Sequence, residues 1–148
     1  MTAISFYHLE STSLDRALPK LLEKVLERGH RAVVFAGSEE RVEALNLALW
    51  TYEQRAFLPH GAERDGFADR QPIYITTVDE NPNGSDVLVL VDGTMSEQLD
   101  SFDRALEMFD GHDNDAVEAA RARWRTLKDR GHELTYWQQT PQGGWEQN

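Results

Sequence analysis

The five residues 87–91 (VLVLV) constrain the fold more than any other feature of the chain. A strand that is apolar at every position has no face to give to water, so it belongs in a sheet covered on both sides. Runs rich in β-branched, aliphatic and aromatic residues recur at 4–9 (ISFYHL), 31–36 (RAVVFA) and 72–78 (PIYITTV), and the strand ending the series is 134–138 (LTYWQ), read as an edge. Between them, Leu14, Leu18, Leu21, Leu22, Val25 and Leu26 return at helical spacing and stop at Gly29. Val42, Leu45 and Leu49 do the same behind Ser38, a good cap, with Glu39 and Glu40 in the positive first turn. Leu99, Phe102, Leu106 and Phe109 have helical spacing too, and Asp113 or Asn114 opens a last helix that runs to about Arg130 before Gly131.

Strands alternating with helices predict a three-layer α/β/α sandwich around a mostly parallel five-stranded sheet. Residues 51–71 read as a long irregular stretch and 81–84 (NPNG) as a turn. With no internal repeat and no interior linker, residues 1–139 are expected to form a single domain, and residues 140–148 a polar, frayed tail.

Much chemistry is excluded. The chain has no cysteine, which removes disulfides, thiolate metal sites and thiol catalysis. Neither GxxxxGK[ST] nor GxGxxG occurs, nor a GxSxG elbow, nor HExxH among His8, His30, His60, His112 and His132. His112, Asp113 and Asp115 read as a solvent-facing cap, and no cofactor is implied. The turn after the second strand, 36–40 (AGSEE), holds two carboxylates that would repel a phosphate. Asp92, closing the strand at 87–91, carries the rival reading: a nucleotide-binding α/β regulatory domain or an enzyme. No apolar run approaches the roughly 20 residues of a membrane span, and the first ten residues lack a basic segment leading into an apolar one. A cytoplasmic protein without membrane contact is expected.

The formal net charge is −11, from 26 acids and 15 bases. Taken whole, it argues against nucleic acid, whose phosphates need clustered Lys and Arg. Its placement changes that: residues 79–118 hold 12 acids and one base, Arg104. Overlapping their last three residues comes the basic segment 116–130 (AVEAARARWRTLKDR). At about 100° per residue, Val117, Ala120, Trp124 and Leu127 share the core side. Arg121, Arg125 and Lys128 share an adjacent face, Trp124 lies at the seam, and Arg123 and Arg130 emerge on the opposite flank. Cations beside an aromatic edge suit an acidic peptide with an apolar anchor. They also suit single-stranded nucleic acid, though the neighbouring acidic segment counts against it. A solvated helix face is the plain alternative.

The opening FYHL, the block VVFAGSEERVEALNLALW, then FLPHG, DVLVLVDG and ARARWRTLKDRG together resemble the chi subunit of the bacterial DNA polymerase III clamp-loader complex over most of the chain. The resemblance implies a noncatalytic replication accessory protein, Rossmann-like in fold but without a nucleotide site. It implies docking of the acidic C-terminal tail of single-stranded DNA-binding protein (SSB), attachment to the clamp loader through the psi subunit, and contact with DNA only indirectly. The family's tail-binding positions match Arg121, Trp124 and Arg125. A family lysine upstream is Val117 here, and helical spacing lets Lys128, one turn past Trp124, supply that cation. The psi-facing positions match Trp50, Phe57, Pro59 and His60.

Overall fold

The computed structural model describes residues 2–52 and 59–148. β1 (Ala3–Leu9) leads into α1 (Leu14–Glu27), β2 (Ala32–Phe35) into α2 (Glu39–Thr51). After the short β3 (Gly61–Ala62) come β4 (Ile73–Thr76), β5 (Val87–Leu90) and β6 (Arg104–Asp110). The long α3 (Asn114–Asp129) is followed by β7 (Glu133–Gln139) and β8 (Trp145–Gln147). Ser38 caps α2 through its hydroxyl, which accepts from the Arg41 N–H, and Asp113 caps α3 by accepting from the N–H groups of Asp115 and Ala116.

The sheet runs β3-β4-β2-β5-β6-β1-β7-β8, parallel throughout except for β8, which pairs antiparallel with β7. Two apolar layers follow from strand alternation. Val34, Val87, Val89, Leu106 and Met108 face α1 and α2, meeting Leu18, Leu22, Leu45 and Leu49. Ile4, Phe6, Leu88, Ala105 and Phe109 face α3, meeting Ala120 and Leu127. This is the expected three-layer sandwich with eight strands rather than five.

Two differences have physical causes. The helix expected over Leu99, Phe102, Leu106 and Phe109 is a single 3-10 turn (Leu99–Ser101) followed by β6, a strand between β5 and β1. From Ala105 to Phe109 every residue is buried, so both faces are apolar apart from Glu107 and the period of two is erased. The second concerns the tail. Trp145 pairs with Gln139 and its ring meets Tyr7 edge-on at 5.1 Å, so β7 is not the edge and residues 145–147 extend the sheet.

Candidate functional site

Trp124 sits half-buried on the inner side of α3. Its ring meets Phe6 of β1 edge-on at 5.3 Å and Tyr136 of β7 at 5.9 Å. These contacts fix the indole while part of it stays open. Phe109 and His8 extend the cluster, with Phe109 6.2 Å from Tyr136 and His8 5.0 Å from Phe109.

Arg121, Arg125 and Lys128 are exposed beside it. Arg121 is tied to Glu118 one turn back, at 3.0 Å between side chains that are 60% and 68% exposed. Such a pair is worth little and is readily exchanged for another carboxylate. At the strand ends below lies a polar rim. His8 hydrogen-bonds the Tyr136 hydroxyl and approaches Glu10 at 3.3 Å, and His112 hydrogen-bonds the Glu10 carbonyl. Burial holds the His8 imidazole below its ordinary pKa, Arg121 and His112 push the same way, and Glu10 and Asp110 oppose them.

Arg123 departs from the sequence expectation. Its guanidinium turns inward to the carboxylate of Glu107 on β6, where the side chains are 11% and 2% exposed. Sequence reasoning missed this pair because it placed Glu107 within a helix. A charge between Leu106 and Met108 in an all-apolar strand was the available signal.

The second predicted cluster lies at the end of α2. Trp50 is 54% exposed and its ring is 4.7 Å from that of His60. His60 is buried, its Nε2 3.2 Å from the Asn46 carbonyl. Pro59 is half-buried, and Phe57 lies outside the described residues. Leu47, which sequence reasoning did not single out, is 63% exposed one turn before Trp50 and adds to the apolar surface.

Asp92 performs a structural task. Its carboxylate accepts from the Gly37 N–H at 3.1 Å and from Arg41 Nε at 3.1 Å. A carboxylate thus occupies the loop between β2 and α2, where a doubly wound fold would present N–H groups to a phosphate. Among the described residues, no group of three or more His, Asp or Glu could hold a metal ion, and no helix is long and apolar enough to cross a membrane.

With this geometry in hand, the sequence model of the family described as DNA polymerase III chi subunit, HolC, matches residues 1–135. The chain belongs to the DNA polymerase III chi subunit family. Membership makes it a replication accessory component. This chi-family chain is 36% identical over 94 residues to the probable DNA polymerase III subunit chi of Rickettsia prowazekii (strain Madrid E), a match covering 64% of this chain and 57% of that protein. It is 26% identical over 139 residues to the DNA polymerase III subunit chi of Pseudomonas aeruginosa (strain PAO1), covering 90% and 94% of the two chains. The stretch matched in the Rickettsia relative is thus little more than half of that protein.

Proposed function

We propose that this chain is a noncatalytic connector in the cytoplasmic replication machinery, whose α3 docks the acidic C-terminal tail of SSB. The observation that carries this reading is the held, half-open indole of Trp124 beside Arg121, Arg125 and Lys128, in a chain whose net charge is −11. Arg121 and Arg125 pair with carboxylates of the tail in charge-assisted hydrogen bonds. Trp124 forms one wall for its apolar side chain, and Lys128 adds a cation one turn on. Exposed pairs contribute about 0–1 kcal/mol each, so the apolar anchor supplies most of the affinity. The second surface, around Leu47, Trp50, Pro59 and His60 with Phe57 in the adjoining stretch, receives psi and through it the clamp loader. The support is the exposure of Leu47 and Trp50, large apolar side chains that soluble surfaces seldom place side by side.

Calorimetry with a synthetic SSB tail peptide tests the first surface. Wild type binds weakly and with strong salt dependence, and Arg121→Ala with Arg125→Ala loses most of the heat. Unchanged affinity in that double variant would refute the assignment. Nucleotide binding in equilibrium dialysis would instead favour the reading through Asp92.

A further inference from the structure

On the opposite side of the sheet from α3, a groove of about 890 Å³ runs along α1, bounded by the end of the sheet formed by β1, β7 and β8 and, on its α2 side, by Leu47, Ala48 and Tyr52. Its floor is aromatic. Tyr7 and Trp137 lie with their planes 9° apart and 6.5 Å between ring centres, and Trp145 meets Tyr7 edge-on at 5.1 Å. All three are half-buried. Its wall is basic. Arg16, Lys20 and Lys24 on α1 and Arg28 at its C-cap recur every four residues, all exposed and all lining the groove. Arg104 at the start of β6 joins them, and its Nε is buried without a hydrogen-bond partner. Arg104 and Arg28 lie near enough to Tyr7 to oppose the rise that burial imposes on the pKa of its hydroxyl.

These five cations are uncommitted. The ion pairs among the described residues involve His8, His30, Arg41, Arg121 and Arg123, and none includes Arg16, Lys20, Lys24, Arg28 or Arg104. Of the carboxylates on α1, Glu23 accepts from the hydroxyl of Tyr52, a lining residue just past α2, Glu27 is exposed, and Asp15 is the one α1 carboxylate that lines the groove. The acidic excess of residues 79–118 contributes only its one base, Arg104, to the charged lining.

We propose that this groove binds single-stranded nucleic acid, with the α1 cations on successive phosphates and bases stacked on Tyr7, Trp137 and Trp145. Residues four apart on a helix advance about 6 Å along its axis, a step that suits one phosphate per cation along an extended strand. An electropositive track beside half-open rings is the arrangement that sequence-tolerant single-strand binders use, because every base has a face to stack. A polypeptide of acidic residues alone would satisfy the cations but leave the aromatic floor unused. This goes beyond docking on α3 and departs from the expectation that DNA is met only indirectly. It places a second, separate anion-binding site on the other face of the sheet.

The test is fluorescence anisotropy of a labelled oligo(dT) of about 12 nucleotides with the full chain, between about 50 and 200 mM salt. Wild type binds with a log–log salt slope of about −3, as four phosphate contacts on a single strand require. Lys20→Ala with Lys24→Ala halves that slope and weakens binding at least about tenfold, with binding of the SSB tail peptide unchanged. Trp137→Ala weakens oligonucleotide binding and leaves the slope as it was. Three results overturn the proposal: no binding at the lowest salt, oligonucleotide binding lost in Arg121→Ala with Arg125→Ala but kept in the lysine variant, or equal competition by poly-glutamate. The last would make the groove a site for acidic polypeptide. Since the peptide and oligonucleotide arms use different variants, failure here leaves the α3 reading standing, and the converse holds too.

Discussion

The carboxylate of Glu107, 2% exposed in the middle of β6, is ion-paired with the guanidinium of Arg123 on α3. One of its oxygens, Oε2, is buried without a hydrogen-bond partner, so Arg123 carries the compensation for burying this charge. The pair joins the sheet to the helix that presents Trp124.

Removing Arg123 alone is therefore costly. Arg123→Leu is expected to destabilise the fold by about 3–5 kcal/mol, as broken buried pairs do. The loss also has a pH signature. Burial raises the Glu107 pKa above the ordinary carboxylate range, with Arg123 opposing it. A carboxyl raised in the folded state contributes stability below its unfolded pKa, about 4.3, and loses it as pH rises through the folded value. Without Arg123 the rise is larger, so the deficit should be greater at pH 8 than at pH 5 in urea unfolding. Glu107→Leu with Arg123→Leu should recover most of the loss. A deficit independent of pH would show that the pair does not act through charge.

The pair also marks where sequence and structure part. The alternation of apolar strands and helical stripes made the sandwich legible, because an all-apolar strand such as 87–91 has only one kind of home. The faces of α3 were legible too: Ala120 and Leu127 are buried and Arg121, Arg125 and Lys128 exposed, as the 100° rule places them. β6 was not, because Leu99, Phe102, Leu106 and Phe109 happen to fall at helical intervals while the strand is buried on both faces. The inward turn of Arg123 went with it. The groove beside α1 was hidden for another reason: its floor comes from β1, β7 and β8, which only the topology brings together.

Gly111 is the tightest backbone approach near the α3 rim. Its N–H donates to the Leu9 carbonyl at 2.7 Å, and a Cβ there would lie 2.2 Å from His8 Nε2 and 2.4 Å from the Leu9 oxygen. The Leu9 oxygen is backbone and cannot move aside cheaply. Gly111→Ala should cost roughly 1–3 kcal/mol or more as overpacking and displace His8 from Tyr136. Thermal unfolding gives the first, and the chemical shift of the His8 ring in NMR gives the second. An unmoved His8 resonance would show that the strand end yields instead.

Asp86 is expected to contribute to stability on the acid side. It joins the starts of β5 and β2, hydrogen-bonding His30 and accepting from the Arg31 N–H at 3.0 Å. Burial alone would raise its pKa, but the bonds from Arg31 and His30 outweigh it and the net shift is downward. A depressed carboxyl contributes stability above its unfolded pKa, about 3.9, and loses it as pH falls through the folded value. Because the side chain is 33% exposed, solvent screening limits the effect. Asp86→Asn should lose about 1 kcal/mol at neutral pH and show a shallower decline below about pH 4. Acid titration followed by circular dichroism measures both, and parallel wild-type and variant curves would exclude this linkage.

Trp124 has two duties, and two substitutions separate them. As a packing residue it supports Phe6 at 5.3 Å and Tyr136 at 5.9 Å. As a proposed wall of the tail site it offers its open edge. Trp124→Ala removes both, so it should cost about 3–5 kcal/mol of stability and abolish tail binding, which by itself decides nothing. Trp124→Tyr keeps an aromatic ring at the same seam with a hydroxyl that can reach solvent. It should lose no more than about 1.5 kcal/mol and hold the SSB tail peptide within a few-fold of wild type. Trp124→Leu is the decisive partner: it fills much of the packing space but presents no flat wall, so stability falls modestly while peptide affinity drops at least about tenfold, equivalent to 1.4 kcal/mol. Calorimetry on the folded variants reads the contrast. If leucine binds the peptide as well as tyrosine does, the indole serves the core alone, and the anchor pocket must lie elsewhere on the basic face.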